Sequence, residues 1–103
     1  MLNRIDLSRV DLNLLVVFGV VLEEGHVARA AGRLNLTPSA VSHALGRLRD
    51  LLNDPLFLRT PKGVVPTTRA LELGEPVAEI LGRVAKVMAS ASHSMQQRVG
   101  AVS

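Results

Sequence analysis

Ser39, Ser42, His43, Gly46 and Arg47 are related by spacings of 3 and 4, so on a helix they share one side. Their chemistry is hydrogen bonding at close range: two hydroxyls, an imidazole able to donate or accept, a guanidinium fork, and a glycine that leaves room. No bulky apolar group and no long Glu or Lys side chain interrupts the set, as would be usual on a face meant only for solvent. Such a surface can approach a groove closely, and the major groove of DNA offers donors, acceptors and thymine methyls at that range. Nucleophilic catalysis fits worse, because neither serine has a base and an acid partner at a readable spacing. His26, His43 and His93 are scattered without the helical spacing of metal ligands, and no phosphate-cradling glycine loop occurs. The chain therefore reads as a non-enzyme with no cofactor and no metal.

Those residues need a helix to carry them, and the sequence supplies its start. Thr37 can cap it, and Pro38 suits the first helical position, where a missing N–H costs nothing. Val41, Leu45, Leu48 and Leu52 then form an apolar stripe on the other side, which faces a core. The helix should end near Asn53-Asp54-Pro55, since proline disfavours a helical residue before it. Upstream, Val27, Ala30, Ala31 and Leu34 mark a shorter helix with Arg29 and Arg33 outward, and its paired alanines allow another helix to cross closely. Asn35 tolerates the left-handed backbone that a sharp turn needs, and Leu36 is expected to plug the gap between the two helices. Helix, a turn of about three residues, helix is the helix-turn-helix arrangement. Before it, Asp11 offers an N-cap and Leu12, Leu15, Phe18, Gly19 and Leu22 trace a supporting helix ending near Gly25. Val16, Val17, Val20 and Val21 fill its other sides, so it should pack against more than one neighbour.

After the second helix of that motif, Leu56-Phe57-Leu58-Arg59 and Val64-Val65-Pro66 flank the turn Thr60-Pro61-Lys62-Gly63, which suits type I. This is a short hairpin with Arg59 and Lys62 at or near its tip. In a winged helix-turn-helix such a wing lies along the phosphate backbone or in the minor groove. Net charge agrees: residues 1 to 25 sum to −2, residues 26 to 69 to +5, and residues 70 to 103 to zero. A polyanion is the natural partner of that middle segment, because each neutralised phosphate releases counterions. From Thr67 or Thr68 a long helix begins, in which Leu73, Val77, Ile80, Val84 and Val87 alternate spacings of 3 and 4 and Leu81 and Met88 widen the stripe. That stripe outlasts what a small core can cover, so it is expected to pair with the same helix of a second copy. Pro76 should kink this helix or displace its start to near Glu75, and the weakly patterned residues 93 to 103 should fray.

The 103 residues allow one modest domain with an appendage, and 48% apolar residues suffice for its core. No cysteine is present, which excludes disulfides and fits a reducing compartment. The apolar run from Leu14 to Leu22 is too short to span a membrane and has an acidic flank, so a cytoplasmic protein without membrane contact is expected.

Asp11-Leu12-Asn13-Leu14-Leu15, Arg29-Ala30-Ala31 with Leu34, Leu36 to Ser42, Leu48-Arg49, and Asp54-Pro55-Leu56-Phe57-Leu58-Arg59-Thr60 together resemble the N-terminal domain of LysR-type transcriptional regulators. The likeness runs without gaps over residues 11 to about 90. It implies a mostly α fold: a winged helix-turn-helix of three helices plus a short β-hairpin, followed by a long linker helix that pairs two domains. It also implies sequence-specific binding of double-stranded DNA as a dimer on an interrupted palindrome, with higher oligomers open to a full-length form. The family's C-terminal effector-binding domain is absent from these residues. Carried over, the residues toward DNA are Thr37, Pro38, Ser39, Ser42, His43, Arg59, Thr67 and Thr68, to which the helix-face spacing adds Arg47 and the hairpin tip adds Lys62. Those toward the second copy are Leu73, Val77, Ile80, Leu81, Val84, Val87 and Met88. Pro38 stands where members often have a base-reading Gln, and can offer only apolar contact. His26 and Ala28 stand where many have a hydroxyl that meets a phosphate or caps the second helix.

The expected layout is an arm over 1–10, the winged unit over 11–66, the linker helix over 67–92 and a tail over 93–103. The alternative is a short interaction protein that forms mixed dimers with full-length relatives and modulates their DNA binding.

Overall fold

The computed structural model describes residues 10 to 102, with side chains described through Ser90. The arm expected over 1–10, apart from Val10, lies outside the described residues, as do the side chains of the expected tail, His93 included. Six elements follow in order: α1 Leu12–Glu24, α2 Val27–Leu34, α3 Pro38–Leu52, β1 Phe57–Thr60, β2 Gly63–Pro66 and α4 Thr68–Val102.

Each helix boundary has a local cause. Asp11 caps α1 by accepting the Asn13 N–H at 2.9 Å, and Gly25 ends it in the left-handed region at φ +66°. Asn35 and Asn53 end α2 and α3 at φ 56° and 52°, as Asn does more readily than other residues with a side chain. Thr37 caps α3 by accepting the Ala40 N–H at 3.0 Å, with Pro38 directly inside.

The core gathers Leu14, Val17, Phe18 and Val21 of α1 with Ala30 and Ala31 of α2, and Val41, Ala44, Leu45 and Leu48 of α3. Leu56, Ala70 and Val77 close it from the C-terminal side. The buried face of α1 is therefore not the expected stripe: Leu12 is exposed, and Leu15 and Leu22 are only half-buried. The helix is apolar nearly all round and packs against α2, α3 and α4 at once, so its periodicity does not single out one side. Leu36 also departs from expectation, being 38% exposed. The Leu36 N–H bonds back to the Ala31 carbonyl at 2.9 Å, which ties the turn to the end of α2, while Ala30 and Ala31 are the residues buried there.

β1 and β2 pair antiparallel with Phe57 opposite Pro66 and Thr60 opposite Gly63, leaving Pro61-Lys62 as a two-residue loop. Leu56, expected to open the strand, stands before it at φ +66°, fully buried. That conformation costs about 1 to 3 kcal/mol for a residue with a side chain. It is held by the Asp54 carboxylate, which accepts the Leu56 N–H at 2.8 Å. Phe18 and Phe57, the two phenylalanines of the chain, meet at 5.5 Å between centroids and tie the hairpin to α1.

α4 begins at Thr68 and runs through Pro76 to Val102, so a later start near Glu75 is not found. Pro76 is exposed, so the carbonyl that loses its donor four residues earlier stands on the solvent side, where water can replace it. α4 crosses α1 at small residues. A Cβ on Gly74 would lie 2.9 Å from Leu22 Cδ2, and one on Gly19 would lie 3.6 Å from Leu81 Cδ1.

Candidate nucleic-acid interface

On α3, the stripe Val41, Leu45 and Leu48 is buried and holds the opposite face outward. Ser39, His43 and Arg47 are exposed there, while Ser42 and Gly46 are half-buried beside them. Thr37 and Pro38 are exposed at the start of the helix. The Thr37 oxygen accepts the capping bond, which leaves its proton for an outside acceptor.

The hairpin stands next to this face. A cleft of about 340 Å³ separates them, lined by His26, Ala28, Pro38 and Ser42 on the helical side and by Arg59, Thr60 and Gly63 on the wing. Arg59 and Lys62 are exposed. Thr68 is exposed at the start of α4, but Thr67 is not available in the same way. Its one hydroxyl proton is donated to Asp54 at 2.8 Å and its oxygen accepts the Ala70 N–H at 3.1 Å. Its main-chain N–H is donated to the Leu56 carbonyl at 2.9 Å. Thr67, expected to donate to phosphate, is instead a cap of α4 and a strut to Asp54.

His26 is the residue that sequence reasoning undervalued. Its Nδ1 accepts the Arg29 N–H at 3.3 Å and so caps α2, the part a hydroxyl was expected to play. A histidine is an uncommon cap, and the readable signal was only its place, one residue before the helix and three before Arg29.

Ion pairs sort the basic residues. Arg33 meets Glu23 at 2.7 Å and Glu24 at 3.2 Å, and Arg29 lies 3.8 Å from Glu24. Hydrogen bonds to Glu23 and then Glu24 hold the Arg33 guanidinium above its ordinary pKa. Of the seven Lys and Arg in residues 26 to 69, these two are spent on α1, leaving five without a carboxylate within 4.0 Å among the described residues. Those five are Arg47 and Arg49 on α3, Arg59 and Lys62 on the wing, and Arg69 on α4, all exposed. The excess positive charge is thus carried by α3, the wing and the start of α4, with Arg59 lining the cleft. Among the described residues no group of three or more His, Asp or Glu could hold a metal ion, and no helix is long and apolar enough to cross a membrane.

The stripe of α4 divides. Val77, 7% exposed, lies in the chain's own core, and Leu73 and Leu81 pack against it. Val84 is half-buried, whereas Ile80, Val87 and Met88 are exposed, the last two at 65% and 62%. The first turns of α4 therefore fold back onto α1, and the apolar surface left for another molecule starts at Ile80. Leu71, 61% exposed, lies outside the expected stripe.

Three helices around one core, a three-residue turn between α2 and α3, and a two-stranded wing define a winged helix-turn-helix domain with an appended long helix. The family described as bacterial regulatory helix-turn-helix protein, lysR family, matches residues 12–71, and the chain belongs to it. The HTH-type transcriptional activator NagR of Ralstonia sp is 56% identical over 72 residues, 70% of this chain and 24% of that protein. NahR of Pseudomonas putida, also an HTH-type transcriptional activator, is 50% identical over 76 residues, 74% and 25% of the two chains. The chain thus spans about a quarter of the length of these relatives, which are regulators and not enzymes. A probable transcriptional regulator from Pseudomonas aeruginosa shares the fold at a TM-score of 0.75 and 45% identity, over 80% of this chain and 28% of that one. The CbnR DNA-binding domain in complex with DNA, at 22% identity, is similar in fold, with a TM-score of 0.74 over 82% of this chain and 98% of that one.

Proposed function

We propose that this chain is the DNA-binding part of a transcriptional regulator, docking α3 in the major groove while the wing follows the neighbouring backbone. The observation that carries this reading is the exposed face of Ser39, His43 and Arg47 on α3, beside a cleft where Pro38 and Ser42 of the same helix face Arg59 of the wing, a cation without a carboxylate partner among the described residues. Small donors at the start of α3 suit base edges, and the wing cations suit phosphate. The CbnR and BenM DNA-binding domains, which share this fold, form complexes with DNA. The winged unit over residues 11–66 reads one half-site. The exposed Ile80, Val87 and Met88 of the linker helix join it to a second copy, so the site is an interrupted palindrome. Such a regulator acts in the cytoplasm, where the chromosome is.

Selection of bound sites from random duplexes tests this directly. The expected product is two inverted half-sites at fixed spacing, bound with an affinity that falls linearly in log–log form with salt. No enriched sequence at low salt, together with mixed dimers on adding a full-length relative, would replace the regulator by the interaction protein.

A further inference from the structure

We infer that Gly63 is a positioning residue for DNA binding: by letting the wing lean, backbone against backbone, on the α1–α2 turn, it sets where Arg59 stands relative to α3. The inference rests on the docking proposed above.

Its starting point is the register of the hairpin. Thr60 opposite Gly63 closes the two-residue loop, so the next pair, Arg59 and Val64, is one whose main-chain groups point away from each other. The Val64 N–H therefore lies on the outer edge, where an isolated hairpin would give it to water. Here it is donated to the Gly25 carbonyl at 3.0 Å. A two-stranded hairpin is marginal on its own, so its place is set by its anchors: the joint at Asp54 and Leu56 at its base, the contact of Phe57 with Phe18, and this bond on the side nearer the tip.

The approach needs a residue without a side chain at 63. The φ there is +144°, and a Cβ would lie 2.3 Å from the Gly25 carbonyl oxygen, a backbone atom that cannot swing aside. The same Cβ would lie 3.6 Å from the His26 ring. A Cβ on Gly25, by contrast, would meet Val64 O at an ordinary 3.9 Å. The two glycines therefore differ in purpose: Gly25 supplies a left-handed helix end, and Gly63 supplies closeness. Since Arg59 is the cross-strand partner of Val64, lifting Val64 off the turn lifts Arg59 away from the cleft it shares with Pro38 and Ser42.

The test is a mutant cycle on the full chain, read by gel-shift titration over a range of salt on a duplex selected by the unmodified protein. Arg59→Ala with Lys62→Ala should lower the salt slope by about two units, and Gly63→Ala alone by about one, with the preferred bases unchanged. Adding Gly63→Ala to the variant already lacking both wing cations should weaken binding by less than about twofold, because the groups it positions are gone. Fully additive losses, or an unchanged slope in Gly63→Ala, overturn the inference. Amide exchange in the unmodified chain gives a reading that survives a variant unable to fold. A Val64 amide protected as well as that of Leu58 supports the contact, and exchange as fast as that of Lys62 overturns it. An unmodified chain with no salt-dependent binding removes the docking proposal and this inference with it; one that binds while the losses add removes the inference alone.

Discussion

Ser42 and His43 are neighbours in sequence but differ in exposure, Ser42 turning into the cleft and His43 outward. If both read bases, Ser42→Ala and His43→Ala each cost about 1 to 3 kcal/mol in affinity and relax preference at particular positions of the site. Competition against single-base variants of the selected duplex measures this, and equal weakening on every sequence would assign them to the backbone instead. His26 acts through α2. Replacing it by alanine removes the acceptor for the Arg29 N–H and should lower stability by about 1 kcal/mol, whereas serine should restore the cap. Thermal unfolding of the two variants side by side checks this, and equal melting temperatures would deny the cap any weight. The exposed residues of α3 were legible because spacing alone separates Ser39, His43 and Arg47 from Val41, Leu45 and Leu48. His26 and Thr67 were not. What each does depends on a partner fixed by the fold, the Arg29 amide in one case and Asp54, thirteen residues away, in the other.

At the scale of elements, Asp54 is the joint between α3, the wing and α4. One carboxylate oxygen accepts both the Leu56 N–H and the Thr67 hydroxyl, and so holds Leu56 in a left-handed conformation while seating the cap of α4. Asp54→Ala leaves both donors without this partner in a half-buried site, and should destabilise the domain by roughly 2 to 4 kcal/mol. Chemical denaturation measures it, and a change below about 0.5 kcal/mol, the usual effect of a surface substitution, would show that water replaces the carboxylate at no cost. Helix limits were legible because Asp11, Thr37, Asn35, Asn53 and Gly25 are local signals whose action needs no tertiary context. The inward side of α1 was not, because a helix with valines on every side buries whichever ones its three neighbours reach. The apolar side chain of Leu56 reads as strand and buries fully, but its backbone answers to Asp54.

For the whole molecule, the division of α4 yields a contrast. Val77→Asp puts an unpaired carboxylate into the core and should abolish cooperative folding, while Met88→Asp lies on exposed surface and should leave the fold intact. Analytical ultracentrifugation should then find Met88→Asp shifted toward monomer and its binding to a two-half-site duplex reduced toward that of a single half-site. An unchanged dimer would place the junction elsewhere, with Leu71 the next apolar candidate. Heptad spacing announced a sticky helix but not which turns the chain covers for itself, since Leu73 and Val77 obey the same period as Ile80 and Val87. The crossing of Gly74 on Leu22 gives that helix a further meaning. With 35 residues, α4 is about 52 Å long, and it acts as a lever whose pivot is the contact with α1. Beyond Gly74 the arm is about 42 Å, so a swing of about ten degrees at the pivot carries the far end roughly 7 Å, about two base-pair steps. If two copies join along α4 as proposed, the distance their recognition helices straddle is geared to this crossing, and a methyl added at position 74 is taken up first by the flexible end of Leu22, so that only what Leu22 cannot absorb reaches the gap between half-sites.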